Sequence, residues 1–285
     1  MTASFAEVIG DPVAQSKSPT IHGFWLDRLG IEAEYRATQV TEAELADYLG
    51  DRRADSNWRG CNVTMPLKQA IIPHLDRVDP PADAIGSVNT VTRDAEGRLV
   101  GTSTDGAGFL EPLMRQLQAP HLFRMARIIG AGGAARAIAH ALAAQNFTLV
   151  IAARRPAQAE ELVAQLPQST QHHVVPLDHF AQPTDFAFDD RKGLLDLVVN
   201  ASPLGMRGKA PLAFDWTHAP PGAIAYDIVT DPLETAFLQR AREAGHETID
   251  GLAMLIGQAG AAFRLFFDRD APRQHDTELR ALITQ

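Results

Sequence analysis

The sequence predicts a two-domain α/β protein built on mostly parallel sheets. Helix and strand patterns alternate along nearly the whole chain, the mark of repeated strand–helix–strand units. Residues 195–200 and 223–228 read as the apolar runs typical of buried parallel strands. A Gly/Ala-rich turn at residues 130–135 separates a strand pattern from a strong helix pattern.

In chain order, residues 5–9 read as the first strand. Ser18-Pro19 reads as a helix N-cap followed by proline at the first helical position, opening a helix to about Leu29. Residues 35–40 form a second strand, and Thr41 with Glu44 makes a capping box for a helix to about Leu49. Residues 60–63 are a short strand, and Pro66 starts another helix. Strands at 87–92 and 99–101 flank the turn at 94–97. A helix over 109–117 leads into a link at 119–123. The chain continues with a strand at 127–129, a helix at 134–145, a strand at 148–152, a helix at 160–165 and a strand at 173–177. After the two apolar strands come a helix at 232–244, a short strand at 248–250 and an apolar helix at 252–267. The resulting division is 1–108, 109–249 and 250–285, and pattern alone assigns the last stretch to neither domain.

The 285 residues are 45% hydrophobic and 21% charged, ordinary for a globular chain. A net charge of −9 excludes the basic footprint of nonspecific nucleic-acid binding, although a local cluster of donors can still hold an anionic small molecule. The single cysteine, Cys61, forms no intrachain disulfide or cysteine-based zinc site and fits a reducing compartment. The N-terminus lacks the features of a signal peptide, and no apolar stretch approaches the ~20 residues of a membrane span. These observations predict a cytoplasmic protein with no membrane partner, no nucleic-acid partner and no metal. His172 and His173 read as surface residues, Asp189 and Asp190 as a solvated loop, and Phe263, Phe266 and Phe267 as core.

Residues 127–136 read Arg-Ile-Ile-Gly-Ala-Gly-Gly-Ala-Ala-Arg, placing Gly130, Gly132 and Ala135 at the spacing of the dinucleotide-binding fingerprint. Gly130 permits the tight turn, Gly132 lets backbone amides approach a pyrophosphate, and small Ala135 lets the helix pack close. Ala131, Gly133 and Ala134 complete the phosphate-facing turn, and the helix N-terminus adds positive potential. An NAD site usually offers an acidic residue about 20 residues further on. Here Arg154 and Arg155 stand instead, suited to a 2′-phosphate, so the cofactor reads as NADP(H).

Gly60–Lys68 and Gly101–Phe109 each carry one candidate acid or base, Lys68 and Asp105. A lysine beside a carboxylate can protonate the alkoxide that forms when a ketone accepts hydride. Spacing alone does not bring the two together, and a lone helical lysine more often reads as a solvated charge.

Taken together, the segments resemble the shikimate dehydrogenase family over nearly the whole chain. They are Gly10-Asp11-Pro12 with Ser16, Ser18-Pro19 and His22; residues 60–68; residues 85–90; Thr104-Asp105; residues 130–136; residues 200–206; and residues 250–259 with Gln258. The resemblance implies an N-terminal α/β substrate domain completed by the C-terminal helices, a Rossmann-like NADP-binding domain, and an active site between domains. It implies NADPH-dependent reduction of 3-dehydroshikimate to shikimate, with Lys68 as general acid and base and Asp105 as its partner. Ser16, Ser18 and Thr64 would hold the substrate carboxylate, with Thr230 nearby. Asn89 and Gln258 would join Lys68 and Asp105 at the ring hydroxyls, and Ser202, Ile228 and Gly251 would flank the cofactor. The expected assembly is a monomer or homodimer. Gln15, Ser103 and Thr230 depart from the family's common histidine, asparagine and tyrosine, and Ala153, Arg155 and Gln158 depart around Arg154. Alternatives are a quinate or broad-specificity quinate/shikimate dehydrogenase, a non-catalytic NADP-binding regulatory protein and, more remotely, a methylenetetrahydrofolate dehydrogenase-like enzyme.

Overall fold

In a computed structural model, residues 3–167, 171–186, 188 and 193–284 are described; Asp189 and Asp190 lie outside them. The chain forms two units, Met1–Asp105 with Ile256–Gln285, and Gly106–Leu255. The sequence-based boundaries at 108 and 249 lie close by, but each actual division falls within a helix, where composition gives no signal.

The first unit is built on β1 (Ser4–Gly10), β2 (Ala33–Gln39), β3 (Trp58–Val63), β4 (Arg77–Val78), β5 (Thr90–Arg93) and β6 (Leu99–Thr102). Its early helices are α1 (Ser18–Leu29), α2 (Leu45–Ala54), α3 (Leu67–Ala70) and α4 (Pro80–Ile85). The strand order is β2-β1-β3-β5-β6-β4. β1 runs parallel to β2 and β3, whereas β5 is antiparallel to β3 and β6, so this sheet is mixed. β1 is buried throughout its last six residues because it lies between two strands under helices. Its one charge, Glu7, is satisfied by the Tyr48 hydroxyl at 2.9 Å and Arg52 Nε at 2.6 Å.

Several element ends differ from the sequence reading. The N-cap of α1 is Lys17, not Ser18. Ser16 Oγ accepts the Ser18 amide at 3.3 Å, and this local bond draws Ser18 into the helix. The expected helix over 109–117 divides into α5 (Asp105–Leu110), a 3₁₀ turn at Glu111–Leu113 and α6 (Met114–Gln118). Pro112 lies in that turn and donates no amide. Thr41 and Glu44 do form the capping box, on a 3₁₀ turn leading into α2.

The second unit carries β7 (Phe123–Ile129), α7 (Gly133–Ala144), β8 (Thr148–Ala153), α8 (Pro156–Gln165), β9 (His173–Pro176), β10 (Leu194–Asn200), β11 (Ile224–Asp227), α9 (Ala236–Glu243) and β12 (Glu247–Ile249). Its sheet is wholly parallel in the order β12-β11-β10-β7-β8-β9, the doubly wound arrangement with its switch point between β7 and β10. α9 is shorter than the 232–244 span expected, because Thr235 caps it by accepting the Leu238 amide at 3.3 Å. Among the described residues, no helix is long and apolar enough to cross a membrane.

α10 (Gly251–Phe267) and α11 (Asp276–Ile283) close the chain. From α10, Phe263 and Phe266 pack with Trp25 and Tyr35 around a fully buried His22. The His22 ring stacks on Tyr35 at 3.9 Å with 3° between planes. His22, within α1, is thus a core ring. Neither ring nitrogen has a hydrogen-bond partner among the described residues. Burial pushes its pKa from 6.5 down to about 3. Below pH 6.5 the unfolded chain takes up a proton that the folded chain refuses, so stability falls as pH drops. The loss is about 1.4 kcal/mol per pH unit until pH nears the folded pKa. Replacing His22 with Phe is expected to flatten this acid limb, whatever its effect at neutral pH. Denaturant unfolding of both proteins at pH 7 and pH 4.5 checks it; parallel losses would refute the assignment.

Candidate active site

Strand direction gathers the polar residues of the first unit at one sheet edge. β1 and β3 are parallel and end together, with the Thr64 amide on Ile9 O at 2.9 Å and the Asp11 amide on Met65 O at 3.1 Å. β5 runs the other way, so its first residue, Thr90, lies in register with Asn62 near the end of β3 and Thr102 at the end of β6. The segments after β1, β3 and β6, and the residue before β5, therefore emerge at the same edge. Open α/β sheets place ligands at such carboxyl ends.

There Lys68, on α3, meets the Asp105 carboxylate through Oδ2. Asp105 is 3% exposed, so its charge needs several donors. Asn89 Nδ2 supplies another at 2.9 Å from Oδ1. The same amide nitrogen lies 2.9 Å from Thr104 Oγ1 and 3.3 Å from Gln258 Oε1, while Asn89 Oδ1 accepts the Thr104 amide at 2.8 Å. Among the described residues, Lys68 has Asp105 as its hydrogen-bond partner, which leaves two ammonium protons for a ligand.

Ser16, Ser18 and Thr64 lie in the loops leaving β1 and β3 at this edge. Ser18 is buried, and the hydroxyl of Ser16 accepts from the Ser18 amide. Gln15 is exposed and reaches Pro12 O at 3.5 Å. Thr230 belongs to the second unit, in the segment after β11, and has no described contact with these residues.

In the second unit, the turn between β7 and α7 has the form that a pyrophosphate requires. Gly130 has φ +121°, and a Cβ there would lie 2.6 Å from Ala201 O. Gly132 is the N-cap of α7, faces open space and is followed by no acidic residue in the first turn. Ala131 is buried and Ala135 fully so, letting α7 sit close on the sheet, while Gly133 and Ala134 remain partly exposed. After β8, Arg154 and Arg155 are exposed, and neither side chain has an ion pair or hydrogen bond with a described residue. Arg154 borders a concavity of about 400 Å³ with Pro156, Leu177, Leu204 and Leu212 on its walls. Largely apolar walls, with Arg154 and also Asp178 at the lining, together with the α7 N-terminus fit an adenine nucleotide whose 2′-phosphate pairs with Arg154.

Asn200 and Asp227 tie the next loops together. Asn200 Nδ2 donates to Asp227 Oδ1 at 3.0 Å and to Leu204 O at 2.8 Å, and Ser202 Oγ donates to Asn200 Oδ1 at 2.7 Å. Asp227 also accepts from Thr235 Oγ1 at 2.7 Å and the Val229 amide at 3.0 Å. Burial raises the Asp227 pKa. Ser202 is therefore committed to shaping its own loop. Ile228 and Gly251 meet through backbone: a Cβ on Gly251 would lie 2.6 Å from Ile228 O and 2.3 Å from Val229 O.

The sequence reading did not single out Asn62, Thr90, Asp227 or Thr235, whose side chains hold the site residues. Thr90 directly follows Asn89, and Asn62 lies within residues 60–68, so adjacency was their only signal. No group of three or more metal-ligating side chains occurs among the described residues.

Residues 8–91 match the shikimate dehydrogenase substrate binding domain. The chain is 48% identical to the shikimate dehydrogenase (NADP(+)) of Sphingopyxis alaskensis over 284 residues, covering 98% of this chain and 96% of that protein. Among solved structures, the Thermus thermophilus shikimate 5-dehydrogenase in complex with NADP(H) and shikimate superposes with a TM-score of 0.81 at 35% identity, covering 98% and 99% of the two chains. The Corynebacterium glutamicum quinate dehydrogenase in complex with NAD gives 0.79 at 29% identity, covering 98% and 99%.

The two turn glycines should respond differently to a methyl group. Gly130→Ala meets both an unfavourable φ and the Ala201 carbonyl, and is expected to destabilise the second unit by about 1–3 kcal/mol. Gly132→Ala meets no protein atom within 4 Å and should leave folding nearly unchanged while weakening NADP binding. Thermal unfolding and cofactor titration of both variants separate these effects; equal stability losses would contradict the geometry.

Proposed function

The chain belongs to the shikimate dehydrogenase family, and on that basis we propose that it catalyses the reversible, NADPH-dependent reduction of 3-dehydroshikimate to shikimate. The observation that carries the assignment is the buried Asp105 carboxylate holding Lys68, in a chain that also carries an NADP-type turn. Full-length likeness to NADP-dependent relatives supports it.

Bound NADPH supplies hydride to the substrate's carbonyl carbon. As that carbon is reduced, its oxygen gains negative charge, and Lys68 donates a proton to it, giving the alcohol. In the reverse direction, neutral Lys68 removes the hydroxyl proton. Asp105 orients Lys68 and balances its positive charge, while Asn89 holds the other carboxylate oxygen. Asn89 and Gln258 present further polar groups to the ring hydroxyls. Ser16, Ser18 and Thr64 bind the substrate carboxylate. Gly130–Ala134 cradle the pyrophosphate, Arg154 and Arg155 bind the 2′-phosphate, and Ser202, Ile228 and Gly251 shape the nicotinamide side. The single, buried cysteine and the NADPH chemistry suit the cytoplasm.

Quinate is the second substrate to test. The likeness to a quinate dehydrogenase favours it, as does Thr230 standing where the family commonly has a tyrosine. The Lys68–Asp105 contact argues against a catalytically idle cofactor binder.

Purified protein should reduce NADP with shikimate faster than with quinate, and equal or better turnover of quinate would reassign the substrate. Lys68→Ala should lower kcat by about 10²–10⁴-fold with little change in NADP affinity. Near-normal turnover would remove Lys68 from the chemistry.

Cofactor choice should rest mainly on Arg154. A charge-assisted hydrogen bond contributes about 1.5–3 kcal/mol, and about 1.4 kcal/mol is tenfold in affinity. The NADP preference should therefore be about ten- to a thousandfold, nearer the lower end for an exposed side chain in salt. Arg154→Asp should narrow or invert it, and higher salt should weaken NADP binding more than NAD binding. An unchanged ratio of the two kcat/KM values in Arg154→Asp would place 2′-phosphate recognition elsewhere.

A further inference from the structure

Asn89 contributes to the site only if its amide points the right way. Its nitrogen must face Asp105, because an ionised carboxylate only accepts, and its oxygen must face the other way. The surrounding bonds set that polarity from the sheet outward. Asn89 O also only accepts, and Asn62 Nδ2 lies 3.3 Å from it, which orients the Asn62 amide. The Tyr35 hydroxyl, reaching across from β2, caps the other end by donating to Asn62 Oδ1 at 2.6 Å. Asn62 Nδ2 then also donates to Thr90 Oγ1 at 3.0 Å. With a donor already on its oxygen, the Thr90 hydroxyl turns its single proton toward Asn89 Oδ1, 2.9 Å away.

We propose that Thr90 is a positioning residue: its hydroxyl, oriented by Asn62, holds the Asn89 amide in the one orientation that lets Asn89 donate to Asp105. This rests on the dehydrogenase reading above. Thr104 also donates to Asn89 Oδ1, but Thr104 adjoins Asp105 in the chain and moves with it. Thr90 is paired within the sheet to Asn62 and Thr102. Its hydroxyl therefore references the Asn89 side chain to a rigid strand, which keeps Asp105 and Lys68 at a constant place. Tyr35, Asn62, Thr90 and Asn89 are all buried, so the relay runs without solvent competition.

A double-mutant cycle tests the relay. Thr90→Val should lower kcat about three- to tenfold, the range for one neutral hydrogen bond, and leave NADP affinity unchanged. Thr90→Ser, which keeps the hydroxyl, should restore kcat to near the wild-type value. In an Asn89→Ala background, Thr90→Val should have no further effect, because the group it acts through is gone. Equal losses in both backgrounds, or a Ser variant as impaired as Val, would overturn the proposal. If Thr90→Val fails to fold, Tyr35→Phe enters the same cycle: a loss confined to the Asn89 background supports the relay, and equal factors in both backgrounds overturn it. The cycle is read with shikimate or quinate, whichever the wild type turns over. A wild type that turns over neither defeats the dehydrogenase reading and the relay's catalytic role with it; an active wild type with equal factors defeats the relay alone.

Discussion

A carboxylate with almost no access to water sits at one edge of the first unit's sheet, and its neighbours are arranged to satisfy it. Asp105 is 3% exposed, and an isolated charge so placed would be strongly disfavoured. Lys68 and Asn89 each take one of its oxygens, and Thr104 and Gln258 hold Asn89 in turn. Removing any one donor leaves others misdirected as well as absent, because each group's orientation depends on the next. The ordinary residue types at this edge thus act as one unit.

The second unit solves a different problem with backbone. Its turn offers free amides to an anion, which is possible only if the strand-to-helix connection is tight. Gly130 achieves this by passing against Ala201 in a left-handed conformation. Nearby, Asn200 and Asp227 tie together the ends of β10 and β11, and Thr235 bonds to Asp227. Two exposed arginines, Arg154 and Arg155, follow the end of β8.

Much of this could be read from the sequence, and the reasons are local. The turn at 130–135 announces itself because its glycines, its flanking strand and its helix lie within a dozen or so residues. The buried parallel strands β10 and β11 were visible as predominantly apolar runs, although each carries an aspartate. Lys68 and Asp105 are 37 positions apart, and spacing said nothing of their meeting; only family resemblance linked them. The helix ends at Ser18, Pro112 and Thr235 were misplaced because single hydrogen bonds or a proline decided them. The Asn62–Thr90 contact was invisible because it depends on the antiparallel register of β3 and β5, which no local pattern encodes. His22 was noted only as part of a segment resembling the family's N-terminal substrate loop, and its aromatic neighbours in space come from elements distant in sequence.

The first unit is assembled from both ends of the chain. Gln258 reaches Asn89 across 169 positions, and Phe263 packs against His22 and Trp25. During synthesis on the ribosome, the N-terminal sheet would emerge with these partners still unmade, its apolar face around His22 and Tyr35 uncovered. The second unit, contiguous from Gly106 to Leu255, has every residue it needs once the first residues of α10 have appeared. Loop-closure entropy across so long an insertion favours completing the middle first, so the nascent N-terminal segment is the stretch most in need of chaperone protection.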